Sequence, residues 1–188
     1  MNTLYIFDMG GVLCENFDVI PSIAKHLGMT EKSFFIIAGE NFRSLLEGKM
    51  SSHEFWKLFS LKSGRSIKEE LFEKYFHPRI NSDVKEIIKH LKAHSRVVCG
   101  TNVIDSHYTL LLKRGDYAIF DGVYASHLMG ISKPDSDFYQ YILQKEDVKP
   151  EKSVFVDDTE ENVTAAKNLG IKSILFVNPI DLKYKLKN

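Results

Sequence analysis

The feature that most constrains this chain is a set of short, unbroken apolar runs that end abruptly at polar residues. A run that is apolar at every position is typical of a strand in a parallel sheet, because helices cover both faces of such a sheet. Helical patterns separate the later runs, and alternation of strands with helices indicates an α/β fold. The predicted strands are residues 4–7, 97–99, 154–156 and 174–177.

Two segments between these runs predict helices with recognisable ends. Apolar residues at 84, 87, 88 and 91 have the spacing of one helix face, and Ser82 and Asp83 precede them as possible caps. A second helix is predicted from Thr159 to Leu169. Thr159 suits the capping position at its start, and Gly170 follows at the position where helices commonly end.

Residues 18–80 differ from the rest of the chain, because they show helical periodicity and no convincing strand. This stretch of about 60 residues separates the first two predicted strands, which is far longer than a usual crossover connection. We interpret it as an all-helical cap inserted above the carboxyl edge of the sheet. The alternative is a second helical layer packed on one face. The predicted division is a core of residues 1–16 plus 81–188 and a cap of residues 17–80.

Composition excludes several classes of partner. The 188 residues contain 25 Lys and Arg and 25 Asp and Glu, and this neutral balance argues against a large nucleic-acid-binding surface. No apolar run approaches the roughly 18–20 residues of a membrane span, and no signal peptide is visible at Met1. Cys14 and Cys99 cannot form a disulfide framework, so we expect inert buried thiols. These observations predict a cytoplasmic protein with neither a nucleic-acid nor a membrane partner, and they leave the oligomeric state open.

Polar side chains follow three of the predicted strands at their carboxyl ends, where open parallel sheets bind ligands. Asp8 follows the first run, Thr101 and Asn102 follow the second, and Asp157 and Asp158 follow the third. Carboxylates that meet at one edge repel each other and favour a hard cation such as Mg²⁺, which binds carboxylates together with substrate phosphate. The sequence therefore predicts a magnesium and phosphate site at this edge.

The same residue types suit phosphoryl transfer. A carboxylate oxygen of Asp8 could attack phosphorus and form an aspartyl phosphate, with the metal neutralising charge between the reacting groups. Thr101 and the backbone amides near Asn102 could hold phosphate oxygens. Lys133, from a Lys-Pro pair between the second and third runs, would place a positive charge on the phosphoryl group.

Four motifs in this order resemble those of the haloacid dehalogenase-like hydrolases, most of which are Mg²⁺-dependent phosphatases. The resemblance spans about residues 3 to 177 and implies a Rossmann-like core with a cap between the first and second motifs. Residues 128–135 and the cap stretch Glu47–Ser51 are similar to the subgroup that contains sugar-phosphate phosphatases. The four motifs are Phe7–Val12, Val97–Asn102, Ser132–Pro134 and Val154–Asn162.

The resemblance implies a role for each matching residue. Asp8 would be the nucleophile and a metal ligand, Asp158 the second carboxylate ligand, and Asn162 would hold the fourth-motif loop together. Asp157 would be an outer ligand, acting through water or by orienting Lys133. The resemblance thus assigns catalysis to Asp8, Thr101 and Lys133, phosphate binding to Thr101, Asn102 and Lys133, and metal binding to Asp8, Gly10, Asp157 and Asp158.

Gly10 departs from the family pattern, because phosphatases of this family usually carry a second Asp two residues after the nucleophile. A glycine keeps the backbone carbonyl that binds the metal but lacks the general acid and base, whose contribution is about 10²–10⁴-fold in rate. The loss matters less for leaving groups that are good anions, such as an anomeric sugar oxygen or an acyl phosphate. Some similar subgroup members with glycine here hydrolyse sugar 1-phosphates, so we expect a sugar 1-phosphate or a similarly activated substrate.

Several alternatives stay open on the sequence alone. Glu15, Asp18 or His53 could replace the missing acid, although each also suits a solvated or capping position. A second hypothesis is a degenerate member that binds a phosphate ligand or a partner without useful turnover. A metal-free dehalogenase is disfavoured by the adjacent Asp157 and Asp158. A receiver-type phosphoacceptor domain is disfavoured by their position late in the chain and by the helical cap.

Overall fold

The computed structural model describes residues 3–187, which form a five-stranded parallel sheet with helices on both faces. The strands are β1 (Leu4–Phe7), β2 (Cys14–Glu15), β3 (Arg79–Ile80), β4 (Arg96–Thr101), β5 (Gly122–Ala125), β6 (Ser153–Asp157) and β7 (Lys172–Leu175). The order in the main sheet is β5-β4-β1-β6-β7, and every neighbouring pair is parallel. The predicted Rossmann-like α/β fold is confirmed.

Side-chain alternation divides the sheet core between two faces. Leu4 and Ile6 of β1 belong to one buried cluster, which contains Phe138 and Ile142 on the helix before β6. Phe7 belongs to the other cluster, which continues into the helices of residues 17–80. Because successive side chains of a strand point to opposite faces, a continuous apolar run is what this doubly covered β1 requires.

Five helices lie between β2 and β3, and six follow β3. The helices are α1 (Ile20–His26), α2 (Glu31–Ala38), α3 (Glu40–Leu46), α4 (Ser52–Ser63), α5 (Leu71–Tyr75), α6 (Ser82–Lys92), α7 (Asp105–Lys113), α8 (Ser126–Met129), α9 (Ser136–Glu146), α10 (Glu160–Asn168) and α11 (Pro179–Lys187). Within residues 3–187, none of these helices combines the length and the apolar character that a membrane crossing needs.

The structure differs from the sequence prediction at several element ends. β2, β3 and β5 were not predicted, and β3 lies at the end of the stretch 18–80 in which no strand was expected, because a strand of two residues leaves no apolar run. β7 begins and ends two residues earlier than the predicted 174–177. The cap of α6 is Asn81 rather than Ser82 or Asp83, because its side-chain oxygen accepts hydrogen bonds from two backbone amides of the first turn. Thr159 does occupy the N-cap of α10, but its side chain makes no capping hydrogen bond.

The helical stretch joins the core at a small antiparallel ribbon. β2 pairs with β3 through Cys14 opposite Ile80 and Glu15 opposite Arg79. α1–α5 lie between these two strands and share a core rich in aromatic residues, in which Trp56 is buried and its indole N–H donates to Glu70. Residues 17–80 therefore suit an inserted cap, and the division at 16/17 and 80/81 stays a proposal.

A polar contact holds the helical stretch against the core. The buried carboxylate of Glu47, at the end of α3, accepts hydrogen bonds from Arg43 (2.8 Å), Lys49 (2.6 Å) and the Ser132 hydroxyl (2.8 Å). Ser132 immediately precedes Lys133, so Glu47 reaches the edge of the core where the functional residues were predicted. Next to it, a Cβ on Gly48 would overlap the backbone carbonyl of His127, which shows how closely the two parts approach.

We expect the variant Glu47→Ala to lower the free energy of unfolding by about 1–3 kcal/mol, because the buried Ser132 hydroxyl loses its acceptor. Urea denaturation measures this change. The matched control is Glu86→Ala, which removes an exposed carboxylate that pairs with Lys89 on the surface of α6. Exposed pairs of this kind contribute little to stability, so equal losses in the two variants would contradict a structural role for Glu47.

Candidate active site

Asp8 directly follows β1 at the carboxyl edge of the sheet. It is buried, and its Oδ1 accepts a hydrogen bond from the Met9 backbone amide at 2.7 Å. The Lys133 ammonium lies 2.9 Å from the same oxygen. Since both contacts involve Oδ1, the other oxygen is the one available to attack a substrate.

Lys133 lies between two carboxylates that come from different strands. Its Nζ is 2.9 Å from Asp8 and 2.7 Å from Oδ2 of Asp157, the last residue of β6. The second oxygen of Asp157 accepts hydrogen bonds from the Thr159 amide (2.8 Å) and the Asn162 side chain (3.0 Å). Both oxygens of Asp157 are thus engaged by the protein, and Asn162 ties the loop as its motif suggested.

The close approach of these charged groups, together with their burial, shifts their pKa values. Burial raises the pKa of Asp8 to about 7, with Lys133 opposing the shift and Asp157 adding to it. Partial desolvation and repulsion from Asp157 raise the pKa of Asp158. Burial alone would lower the pKa of Lys133, but its two carboxylate neighbours outweigh burial and raise that pKa, so the ammonium stays charged. One ammonium faces three carboxylates, which leaves a local excess of negative charge.

That excess is the charge a divalent cation would neutralise. Oxygen atoms of Asp8, Asp157 and Asp158 lie within 4.8 Å of one another, and Asp158 is the exposed member of the three. Hard carboxylate oxygens suit Mg²⁺, which keeps part of its water shell. Asp8 and Asp158 are the better candidates for direct ligands, because both oxygens of Asp157 already have protein partners.

Gly11 brings the loop after β1 close to Asp158. Its φ of +75° lies in the left-handed region, and a Cβ at this position would overlap the Asp158 carboxylate. Only glycine meets both conditions, because it has no Cβ and adopts positive φ without strain. Gly11 therefore shapes the cluster of Asp8, Asp157 and Asp158. The motif alone does not reveal this role.

Thr101 is the last residue of β4 and Asn102 follows it, and their side chains have different surroundings. Thr101 is buried at the last position of the strand. The Asn102 side chain forms two hydrogen bonds of 2.9 Å with the backbone of Lys133, donating to its carbonyl and accepting from its amide. A phosphate contact from residue 102 would therefore come from its main chain, and its side chain holds Lys133 in place.

At Gly10, where the family pattern places a second Asp, an aromatic ring lies against the backbone. A Cβ on Gly10 would be 2.6 Å from Cδ2 of Phe17, whose side chain is 39% exposed. Of the candidate replacement acids, Glu15 is engaged by Arg79 and Asn81. The exposed Asp18 accepts a hydrogen bond from the Ile20 amide at the start of α1.

A cavity of about 170 Å³ opens beside this edge of the sheet, between the helical stretch and the core. Its polar end contains Gly10, Thr101 and Asn102, and Asp18 also lines it, whereas His53 lies at a different surface of the helical stretch. The remaining walls are formed mainly by apolar and aromatic side chains. These lining residues are Met9, Cys14, Phe17, Val19, Ile20, Phe42, Leu46, Phe72, Phe76, Val103, Ile104, His107 and Leu111.

Comparison with known proteins bears on this geometry. A family model described as haloacid dehalogenase-like hydrolase matches residues 5–176. The chain belongs to this family. Membership confirms the resemblance drawn from the four motifs, and it confirms that the enzyme class is a hydrolase. The roles of the individual residues remain proposals.

Individual proteins are similar to this chain at about 20–33% sequence identity. A sesquiterpene phosphatase from Aspergillus oryzae is 29% identical over 172 residues, which cover 88% of this chain and 85% of that protein. A drimenol cyclase from Aspergillus calidoustus is 33% identical over 115 residues, 58% of this chain but only 22% of that protein. A solved haloacid dehalogenase family enzyme from Bacteroides thetaiotaomicron, in complex with magnesium and inorganic phosphate, matches over 93% of both chains. Its TM-score is 0.75 and its identity 20%, which shows the shared fold alone.

The sequence did not reveal the contacts of three residues at this candidate site, although the stretch 47–51 that contains Glu47 was singled out by its resemblance. Phe17 lies against Gly10, Glu47 holds the loop before Lys133, and His107 lines the cavity. The ring of His107 stacks on Phe76 with centroids 3.7 Å apart, and its Nε2 donates to the Phe72 carbonyl at 3.1 Å. Each role depends on contacts between distant segments, so no local pattern could have revealed it.

We expect the variant Gly11→Ala to weaken Mg²⁺ binding by about 10–100-fold, since the added Cβ displaces the Asp158 carboxylate. Titration with the metal measures the affinity. Gly115→Ala is the matched control, because Gly115 has the same φ of +75° and no atom lies within 4 Å of the place its Cβ would take. Both variants carry the left-handed strain of about 1–2 kcal/mol. A similar loss of metal affinity in both would contradict the role of Gly11.

A second prediction concerns pH and His107. Burial lowers the pKa of His107 to about 4, and its hydrogen bond to Phe72 only partly opposes this. In the unfolded chain a histidine has a pKa near 6.5, so the unfolded state takes up the proton first as the pH falls. The stabilisation from neutral His107, on the order of 3 kcal/mol, is therefore complete above about pH 6.5 and disappears towards pH 4.

The variant His107→Gln keeps an N–H donor for the Phe72 carbonyl but does not titrate. We expect the unfolding free energy of the wild type to fall more steeply than that of the variant between pH 6.5 and 4. Urea denaturation at several pH values measures both slopes. Parallel curves would show that His107 is not held in its neutral form by the fold.

Proposed function

We propose that this protein is a Mg²⁺-dependent phosphatase that hydrolyses a small phosphorylated metabolite through an aspartyl phosphate on Asp8. Its family is one of hydrolases, and the phosphatase relative that it matches over most of both chains supports a phosphoric monoester as the substrate. The observation that carries the proposal is the contact of the Asp8 carboxylate with the buried Lys133 ammonium, beside two further carboxylates.

The side chains of this site suit a two-step displacement. The free oxygen of Asp8 attacks phosphorus, the bond from Asp8 to phosphorus forms, and the ester P–O bond breaks. Water then hydrolyses the aspartyl phosphate, which releases phosphate and restores Asp8. Lys133 stays charged throughout and stabilises the negative oxygens of the transferring group, while Asn102 fixes the position of its backbone.

Asp8, Asp158 and the Gly10 carbonyl are the groups we propose to hold Mg²⁺, with Asp157 acting from outside through Lys133. The cation would neutralise charge between the nucleophile and the phosphate when bound. The three crowded carboxylates support this choice of cofactor. Thr101, buried at the end of β4, is proposed to contact the phosphate together with the main chain of Asn102.

Gly10 limits the class of substrate. Without an acid at this position, the leaving oxygen takes its proton from water, so a leaving group that is stable as an anion is favoured. A sugar 1-phosphate and an acyl phosphate both meet this requirement.

We also propose that the protein acts in the cytoplasm, where the buried thiols of Cys14 and Cys99 stay reduced.

The second candidate function is a weakened member that binds phosphate or a partner without useful turnover. Gly10 is the observation that favours it, because it removes a group that contributes about 10²–10⁴-fold in related chemistry. The two candidates predict the same fold and the same phosphate affinity. They differ in whether a covalent phosphoenzyme forms on Asp8.

Acetyl phosphate is a suitable first substrate, because its acetate leaving group needs no proton. We expect Mg²⁺-dependent phosphate release that falls by at least about a thousandfold in Asp8→Asn, since the amide cannot serve as nucleophile. Asp147→Asn is the matched control. Asp147 is exposed at the end of α9 and is none of the proposed site residues, and Asn tolerates its φ of +51°. Turnover that persists in Asp8→Asn would overturn the mechanism, and no turnover at all would favour the binding protein.

A further inference from the structure

The cavity beside Gly10 is lined by aromatic rings from three segments of the chain. Phe17 comes from the loop after β2, Phe42 from α3, Phe72 from α5, and Phe76 from the residue after α5. Phe72 and Phe76 are buried, so these two rings form fixed parts of the cavity wall. Because ring faces and edges attract each other in offset and tilted arrangements, such walls favour a flat apolar group.

The cavity offers few partners for a hydroxylated molecule. Within residues 3–187, Asp18 is the one carboxylate among the lining residues, and no Lys or Arg lines the cavity. The polar Nε2 of His107 is already used by the Phe72 carbonyl. Each sugar hydroxyl buried here without a partner would lower affinity by about tenfold or more. The walls therefore disfavour a sugar.

Phe17 connects the cavity to the chemistry. Its ring lies against Gly10, where an acid would stand in the family pattern, so the leaving group would meet an aromatic wall in place of a proton donor. A leaving oxygen at this position has to depart as a stable anion. A phenol satisfies that requirement much better than an aliphatic alcohol, because its ring delocalises the charge.

The size of the cavity points in the same direction. An apolar protein cavity of about 150 Å³ accommodates benzene. The cavity beside Gly10 measures about 170 Å³ and reaches Thr101 and Asn102 at its polar end. A single aromatic ring fits this volume with its phosphate towards the carboxyl edge of the sheet, where Asp8 lies.

We propose that the preferred substrate is the phosphate monoester of a small phenol, with its ring in this cavity between Phe17 and Phe42. The proposal rests on the phosphatase function proposed above and makes its substrate class specific. It differs from the sugar 1-phosphate that the family resemblance suggested. The apolar walls, the absent acid and the cavity volume each support it separately.

Binding is measured first, with phosphonates that the enzyme cannot hydrolyse. Phenylphosphonate and methylphosphonate carry the same charged group and differ in the ring. In calorimetric titrations with Mg²⁺, we expect phenylphosphonate to bind about thirtyfold or more tightly, because the ring leaves water for an apolar site. Affinities within about threefold of each other would overturn the proposal, and this readout does not depend on turnover.

Two variants of the cavity wall and one control test where the ring of phenylphosphonate binds. Phe17→Ser and Phe42→Ser each remove one wall from a side chain that is not fully buried, so both should fold. We expect either change to reduce the phenyl-to-methyl affinity ratio to below about tenfold. Ile36→Ser is the control, because Ile36 is 71% exposed on α2 and does not line the cavity. An undiminished ratio in both wall variants would place the ring elsewhere and overturn the proposal.

Turnover separates this proposal from the function on which it rests. We expect kcat/KM for phenyl phosphate to exceed that for glucose 1-phosphate by at least about tenfold. Benzyl phosphate should bind comparably but turn over more slowly, since its leaving group is an alkoxide. Asp8-dependent hydrolysis of acetyl phosphate without a preference for phenyl phosphate would overturn the substrate class alone. Failure to hydrolyse any substrate would overturn the phosphatase function.

Discussion

The site depends on one buried ammonium group. Lys133 lies within 3 Å of carboxylates from β1 and β6, and neither Asp8 nor Asp157 could be buried as an anion without it. Its own position is set by neighbours on both sides: the Asn102 side chain pairs with its backbone, and Glu47 holds the preceding Ser132. Asp8, the proposed nucleophile, is therefore positioned by a charge cluster to which the ends of β1, β4 and β6 and the helical stretch all contribute.

The two adjacent acids of the fourth motif have different surroundings because β6 ends between them. Asp157 is the last residue of β6, fully buried, and each of its oxygens accepts a hydrogen bond or ion pair from the protein. Asp158 is one position further, outside the strand and exposed. Because successive residues project in opposite directions, one acid can hold Lys133 while the other remains open towards a cation. A single carboxylate could not serve both purposes.

Local patterns carried most of what could be predicted. The central strands were visible as apolar runs, and the polar residues after them converge because parallel strands end at one edge. β5 was missed because it is a sheet edge whose first three residues are only partly buried, so it has no continuous apolar run. Asn102 was assigned to phosphate, but the contact of its side chain with the Lys133 backbone, 31 residues away in sequence, was not foreseen. Contacts of this range leave no periodic signal.

The position of the Phe17 ring depends on the absence of a side chain at Gly10. A side chain on Gly10 would meet the Phe17 ring at 2.6 Å, so an acid and this aromatic wall exclude each other unless Phe17 moves. An ionised acid beside apolar rings would also lose hydration, and its pKa would rise. In the function proposed above, the leaving group would instead gain apolar contact next to a phosphate bound by Lys133, whose charge acts more strongly where water is excluded. The missing acid is thus coupled to the shape of the cavity, and the proposed catalysis relies on binding and electrostatics in place of proton donation.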